Sequence, residues 1–182
     1  MIINRGNFGF FRRNRFIEPD RPVLSPEMGP IDRLLEAMAL SGLMFFLGYA
    51  IYSFPHLPET IPTHFNGSGQ ADESGGKAEF LILPGVAVFV YILLTLINLI
   101  PHRFNFTVKI TKENAMRQYI MATRMVRTLK TALILGFFYL SHATIQVAKG
   151  AASGLGIWFV PVFLGIILGP LIIYFIMAKL KS

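Results

Sequence analysis

His64 and Asp72 lie eight residues apart, with Asn66 between them and Lys77 just beyond. A histidine beside a carboxylate is the pairing of a general base with the acid that orients it. The rest of a catalytic set is missing: no serine sits in a nucleophile elbow, and there is no His-Glu-x-x-His run. His56 and His64, eight residues apart, do not have the spacing of a standard metal pair. Gly67, Gly69, Gly75 and Gly76 could free backbone amides for an anion, yet neither the P-loop nor the dinucleotide pattern is present. With no cysteine in the chain, disulfides, thiolate metal sites and cysteine nucleophiles are excluded. The residues therefore assign no catalytic group, no metal and no cofactor. They point to a ligand- or partner-binding loop carrying His64, Asn66, Gly69, Asp72 and Lys77, and the chain is read as not an enzyme.

The elements around this loop follow from where the charges are absent. The chain has 182 residues, 53% hydrophobic and only 15% charged, against about 25% charged in a soluble domain. Residues 37–58, 80–102, 131–148 and 150–178 contain no Asp, Glu, Lys or Arg, giving windows of 22, 23, 18 and 29 residues. Crossing about 30 Å of hydrocarbon takes roughly 20 helical residues. The pattern predicts four transmembrane helices, with Lys130 and Lys149 snorkelling from the shortest. Span one is expected over residues 34–54, with Asp32 as its cap, Pro55 as its end, and Tyr49 and Tyr52 near one interface. Span two is expected over 80–100, with Asn98 near its end and not necessarily buried, and span four over 156–177, kinked by Pro161 and Pro170. Gly165 and Gly169 in span four permit close helix approach, within the chain or between copies. Ser141, His142, Thr144 and Gln146 in span three should face neighbouring helices or water, with His142 a hydrogen-bonded packing residue rather than a metal or chlorin ligand.

Basic residues set the orientation. Six precede the first window, seven lie between the second and third, and two follow the fourth; only Lys77 and Lys149 lie in the opposite loops. That distribution predicts cytoplasmic termini and an outward loop between spans one and two. The net charge of +7 reflects the same bias and attraction to anionic lipid, without a nucleic-acid motif. The first window begins too late for an N-terminal signal peptide.

Residues 111–130 carry Ala115, Tyr119, Ala122, Val126 and Leu129 on one side and Glu113, Arg117, Arg124 and Arg127 on the other. This predicts an amphipathic helix, capped by Thr111, running without a break into span three, its basic face solvated or lipid-facing. In the arm before span one, Phe8, Arg12 and Arg13 belong to a Phe/Arg cluster followed by Pro19, Pro22, Pro26 and Pro30, which excludes a long helix. Either it is a disordered arm, or its aromatics enter the headgroup region or a partner while its arginines meet phosphates. In the outer loop, Thr60, Ile61 and Thr63 around Pro62 predict an extended segment. Asn66-Gly67, Ser68-Gly69 and Gly75-Gly76 predict tight turns.

The run Leu57-Pro58-x-x-Ile61-Pro62-x-His64-Phe65-Asn66-x-x-Gly69-x-x-Asp72-x-x-Gly75-x-Lys77 resembles the signature of the DUF1648 family of bacterial membrane proteins. The segment from Pro101 to Asn114, with Gln118 and Tyr119, is similar to the family's cytoplasmic part, so the resemblance spans about residues 35–178. The domain also occurs in SdpI-like immunity proteins, which protect cells from a secreted toxin and signal to a cytoplasmic repressor. The resemblance implies that this chain corresponds to the DUF1648 part, without the further SdpI spans.

The expected architecture is an all-α, up-down, four-helix membrane bundle in the bacterial cytoplasmic membrane, with both termini cytoplasmic. Residues 1–33 form the arm and 34–182 the membrane domain. Within the latter, 55–79 fold as an outer cap and 103–130 as a cytoplasmic helical extension. The resemblance implies a non-catalytic binding or scaffolding protein whose partners are the lipid bilayer and a peptide, an ion or another membrane protein. An accessory subunit of a larger, energy-converting membrane complex is the alternative. A small transporter or enzyme is less favoured, since spans one, two and four lack an ionisable acid or base other than tyrosine at mid-depth.

Overall fold

A computed structural model describes residues 21–181; the candidates Phe8, Arg12 and Arg13 lie outside the described residues. Four long helices dominate: α1 (Pro30–Ser53), α2 (Ile82–Ile97), α3 (Ala115–Ala148) and α4 (Phe159–Leu180). Between α1 and α2 lie two antiparallel strands, β1 (Thr60–Phe65) and β2 (Ala71–Gly76). All four helices, α2 together with the turn before it, are long and apolar enough to cross a membrane. Their surfaces agree: Phe45, Ile51, Phe89 and Ile173 are all more than 60% exposed. A soluble monomer rarely leaves apolar patches beyond a few hundred Å² open to water. These features describe a multi-pass membrane protein.

The helix ends differ from expectation in instructive ways. Gly29, not Asp32, is the N-cap of α1; Asp32 sits at the third helical position and its carboxylate accepts the Gly29 N–H at 3.1 Å. Asn114 occupies the N-cap position of α3, and Thr111 lies upstream, its N–H donated to Asn114 Oδ1 at 2.9 Å. Pro55 ends α1 through a 3₁₀ turn, Phe54–His56, rather than an abrupt stop. Residues 115–148 do form one continuous helix, with Ala115, Tyr119, Ala122 and Val126 buried as the spacing requires. Asn98, whose position near the end of its span left burial open, is 9% exposed, and both its amide atoms lack a partner among the described residues.

The largest departure is on the basic side of α3. Arg127 and Lys130 are buried, at 8% and 0% exposure, rather than solvated or snorkelling. Arg124, Arg127 and Lys130 recur every three residues, close enough to helical period to share a side. Asp32 and Glu36, one turn apart on α1, face them. Arg124 holds Asp32 through Nε and Nη2, both at 3.0 Å. Arg127 Nε donates to Glu36 at 3.2 Å, and Lys130 Nζ donates to Glu36 at 2.6 Å and to Thr95 of α2 at 2.9 Å. The Lys130 ammonium also lies 4.7 Å from the Tyr91 ring centroid. At the other end of the same helix pair, Tyr49 and His142 are hydrogen-bonded at 2.9 Å, the packing role expected of His142. These contacts set α1 and α3 side by side in one direction. Lys130 with Thr95 sets α2 against them, and Gln118 with Ala178 together with Tyr139 on Phe159 does the same for α4.

The described part of the proline-rich arm is extended along the base of α3. Arg21 donates to the carbonyls of His102 and Phe104 at 3.2 and 2.7 Å, and Tyr119 Oη donates to the Pro22 carbonyl at 2.8 Å.

Removing one partner of a buried ion pair strands the other in low dielectric, at a cost of about 3 kcal/mol. Glu36→Ala should lower the stability of the detergent-solubilised protein by about that amount, and Glu36→Met/Lys130→Met should recover most of it. Equilibrium unfolding with helicity as the readout checks this. A loss below about 1 kcal/mol for Glu36→Ala would mean the network is solvated.

Candidate functional site

The polar loop folds as a hairpin. Pro62 and the β-branched residues beside it favour extended backbone, and β1 pairs with β2 from Thr60–Gly76 to Phe65–Ala71. Gly75 and Gly76 are therefore strand residues opposite Ile61 and Thr60, not a tight turn. The turn falls at 66–70. Asn66 Oδ1 accepts the N–H groups of Ser68 at 2.9 Å and Gln70 at 3.1 Å, an Asx turn. Gly69 has φ 77°, the left-handed region that favours glycine.

Two tethers hold the hairpin. At its base, Lys77 Nζ donates to Glu59 at 3.0 Å and lies over the Phe54 ring. At its tip, Leu155 N–H donates to the Gly69 carbonyl at 2.7 Å, and Gln70 bridges to Gly154 in the α3–α4 connection. A Cβ on Gly154 would collide with the Gly69 carbonyl oxygen, so the backbones approach closely only because this residue is glycine. Beneath, Ile61 packs with Leu57, Phe80 and Ile145 in the main core cluster.

Under the hairpin opens a cleft of about 400 Å³. Its walls come from β1, the start of α2, α3 at Leu140, Ser141 and Thr144, and the segment leading into α4. It is largely apolar. Ser141 is 1% exposed, and its Oγ has no hydrogen-bond partner. A buried hydroxyl without a partner is costly, about 1–3 kcal/mol, and such a group in a cleft wall is where an incoming polar atom would be held.

The expected site residues divide over this geometry. His64 and Asn66 border the cleft. Asp72 does not line it but reaches His64, with Nδ1 and Oδ1 2.5 Å apart. Gly69 serves the tip tether and Lys77 the base tether. Ser141 and Leu155 were not among the loop candidates. Ser141 carries a signal only as one of several polar residues in span three, and nothing in the sequence singles out Leu155. Among the described residues no three His, Asp or Glu side chains gather as a metal set.

The hydrogen bond that His64 donates to Asp72 raises the His64 pKa above its ordinary 6.5, with the Asp72 and Glu73 charges adding to it. Both side chains of the pair are solvent-exposed, 58% for His64 and 41% for Asp72. Because the folded value is the higher one, the pair's contribution to hairpin stability is fully present below about pH 6.5 and is lost as pH rises through the folded value. In histidine NMR titrations His64 should titrate above 6.5 and Asp72→Asn should return it towards that value. Identical titration in both proteins would show that the hydrogen bond does not persist in solution.

Residues 41–88, from within α1 to within α2 and including the whole hairpin, match the family model DUF1648, a domain of unknown function. The resemblance carried by Leu57 to Lys77 thus holds over that segment. An uncharacterized protein of Archaeoglobus fulgidus is 29% identical, with 74% of this chain and 80% of that protein covered. No solved structure matches the chain.

Proposed function

We propose that this DUF1648-bearing chain is a non-catalytic membrane protein that binds an apolar peptide segment of a membrane partner in the cleft beneath its hairpin. One observation carries the reading: an apolar cleft of about 400 Å³ has in its wall a buried hydroxyl, Ser141, with no partner. Binding pockets combine apolar walls with a few polar groups that fix orientation. An apolar segment bearing one hydrogen-bonding group fits that combination. His64 at the rim adds a pH-dependent charge, and Asn66 and Gly69 shape the turn. Asp72 and Lys77 act through the hairpin rather than on the ligand. The exposed His64–Asp72 pair has no nucleophile assigned beside it, which supports binding over catalysis.

In this reading the hairpin caps the outward end of an up-down bundle and both termini are cytoplasmic. Support comes from the 15 basic residues on one side of the four spans against two on the other. The absence of native cysteine makes a direct test simple. A cysteine at Gly67, where a side chain meets nothing within 4 Å, should react with an impermeant maleimide in intact cells, and one at Asn105 only after lysis. The reverse pattern would overturn the orientation.

Binding is tested with a photo-crosslinking amino acid at Leu140, in the cleft wall, and a control at Phe89, on the exposed face of α2. In native membranes the Leu140 position should give a discrete adduct that Thr144→Trp, which fills the cleft, abolishes. The Phe89 position should give only lipid adducts. Lipid adducts alone at both positions would sink the peptide-binding reading.

A further inference from the structure

A second groove, also of about 400 Å³, lies between α3 and α4, near the end of the bundle away from the hairpin. Met121 and Met125 of α3 and Ile173 and Met177 of α4 form its apolar lining, with Arg124, Tyr174 and Lys181 also in its walls. We propose that this groove is a binding site for an anionic phospholipid, one acyl chain along the methionines and the headgroup phosphate held by Arg124 and Lys181. It is separate from the hairpin cleft and does not depend on the function proposed for it.

The argument rests on charge and unmet hydrogen bonding. Asp32 and Glu36 carry two negative charges, while Arg124, Arg127 and Lys130 carry three positive ones, so this network keeps one positive charge over. Arg124 is its most exposed cation, at 39%, and it lines the groove. Asp32 occupies Arg124 Nε and Nη2, and Nη1 has no acceptor among the described residues. Lys181 is exposed two helical turns beyond Tyr174 along α4. Tyr174 is 8% exposed, and its hydroxyl makes no hydrogen bond among the described residues. A guanidinium, a phenol and an ammonium spaced down an apolar trough suit a phosphate with a hydrocarbon tail better than a soluble anion, which would leave the methionines wet. Thioether side chains adapt to irregular, flexible occupants such as acyl chains. Basic pockets between transmembrane helices recognise headgroups in this way.

The test uses the full chain in detergent, with phosphatidylglycerol or phosphatidylcholine of matched acyl chains added, and native mass spectrometry as the readout. The wild type should retain phosphatidylglycerol about fivefold more than phosphatidylcholine. Lys181→Gln should remove most of that preference, and Lys181→Arg should keep it. Met125→Trp should reduce retention of both lipids by filling the groove. Should that variant melt early, Met177→Phe takes its place. Glycerol phosphate in excess should not displace the bound lipid; displacement would identify a soluble phosphate site and overturn the proposal. Equal retention of the two lipids by the wild type, or an undiminished preference in Lys181→Gln, would overturn it as well.

Discussion

The ladder of ion pairs between α1 and α3 fixes more of this molecule than any other interaction. Taking a charge out of water costs several kcal/mol even after relaxation, so a buried lysine and arginine persist only where their partners are in place. Lys130, with 0% exposure, meets that condition only when Glu36 and Thr95 both reach it. A one-residue slip of α1 along α3 would strand it. Apolar helix faces in lipid have little to prefer one register over another, because lipid tails are as apolar as leucine. Here the register is set electrostatically, and three helices converge on one ammonium group.

That register reaches the hairpin end of the molecule through the rigidity of α3. Asp32 and Glu36 lock α1 near the start of the helix pair, and Tyr49 meets His142 near its far end. The hairpin then begins where α1 ends and finishes where α2 begins, so its base is placed by both helices. Its tip is held independently, by Leu155 and Gly154 of the connection to α4. A strand pair fixed at both ends over helices that cannot slide spans a gap instead of collapsing into it. The cleft lined by Ile61, Leu140 and Ser141 is that gap. Its shape therefore depends on ion pairs at the opposite end of α1.

How far this was legible in the sequence depended on the scale of the signal. Charge-free windows located all four helices, because the length needed to cross hydrocarbon leaves a long uniform trace. The continuity of α3 was legible too, since neither Pro nor Gly interrupts residues 111–135. The windows misplaced Lys130 as a snorkelling edge, and the helical spacing misplaced Arg127 on a solvated or lipid-facing side. Treating every cation as the edge of a span assumes that it seeks water, whereas these two seek Asp32 and Glu36, about ninety residues away in the chain. Pairing at that distance leaves no local pattern. Cap assignments failed for a related reason. Asp32 and Thr111 are good capping types, yet each helix starts three residues away from the expected cap, at Gly29 and Asn114. Gly75-Gly76 reads as a turn by composition and is a strand because Ile61 and Thr60 pair with it. The motif around His64 marked the right loop, but the cleft also needs Ser141 and Leu155, and only the fold brings those beside β1.

The glycines of α3 and α4 separate two uses of small residues. Gly165 and Gly169 have the spacing associated with close helix approach, yet a side chain at either would meet nothing within 4 Å. Gly136 of α3 is the position that lets α4 in: a Cβ there would collide with the Phe163 ring. Phe163 in turn stacks on Phe159, and Phe159 on Tyr139, so the α3–α4 contact is a run of aromatic rings admitted by one missing side chain. The far end of α4 is tied differently, with Gln118 Nε2 donating to the Ala178 and Lys181 carbonyls. Those carbonyls belong to the last turn, where a helix has no internal donors left to offer. Held by rings at one end and by a capping amide at the other, α4 borders a groove with α3 between these ties, beside the buried contact of Tyr174 with Ala122. Pro170 sits between the same ties, where its ring prevents the regular backbone hydrogen bond and favours a bend. The groove lined by Met125 and Ile173 lies beside this proline, so the spacing between α3 and α4 there follows from the backbone of α4 as well as from its side chains.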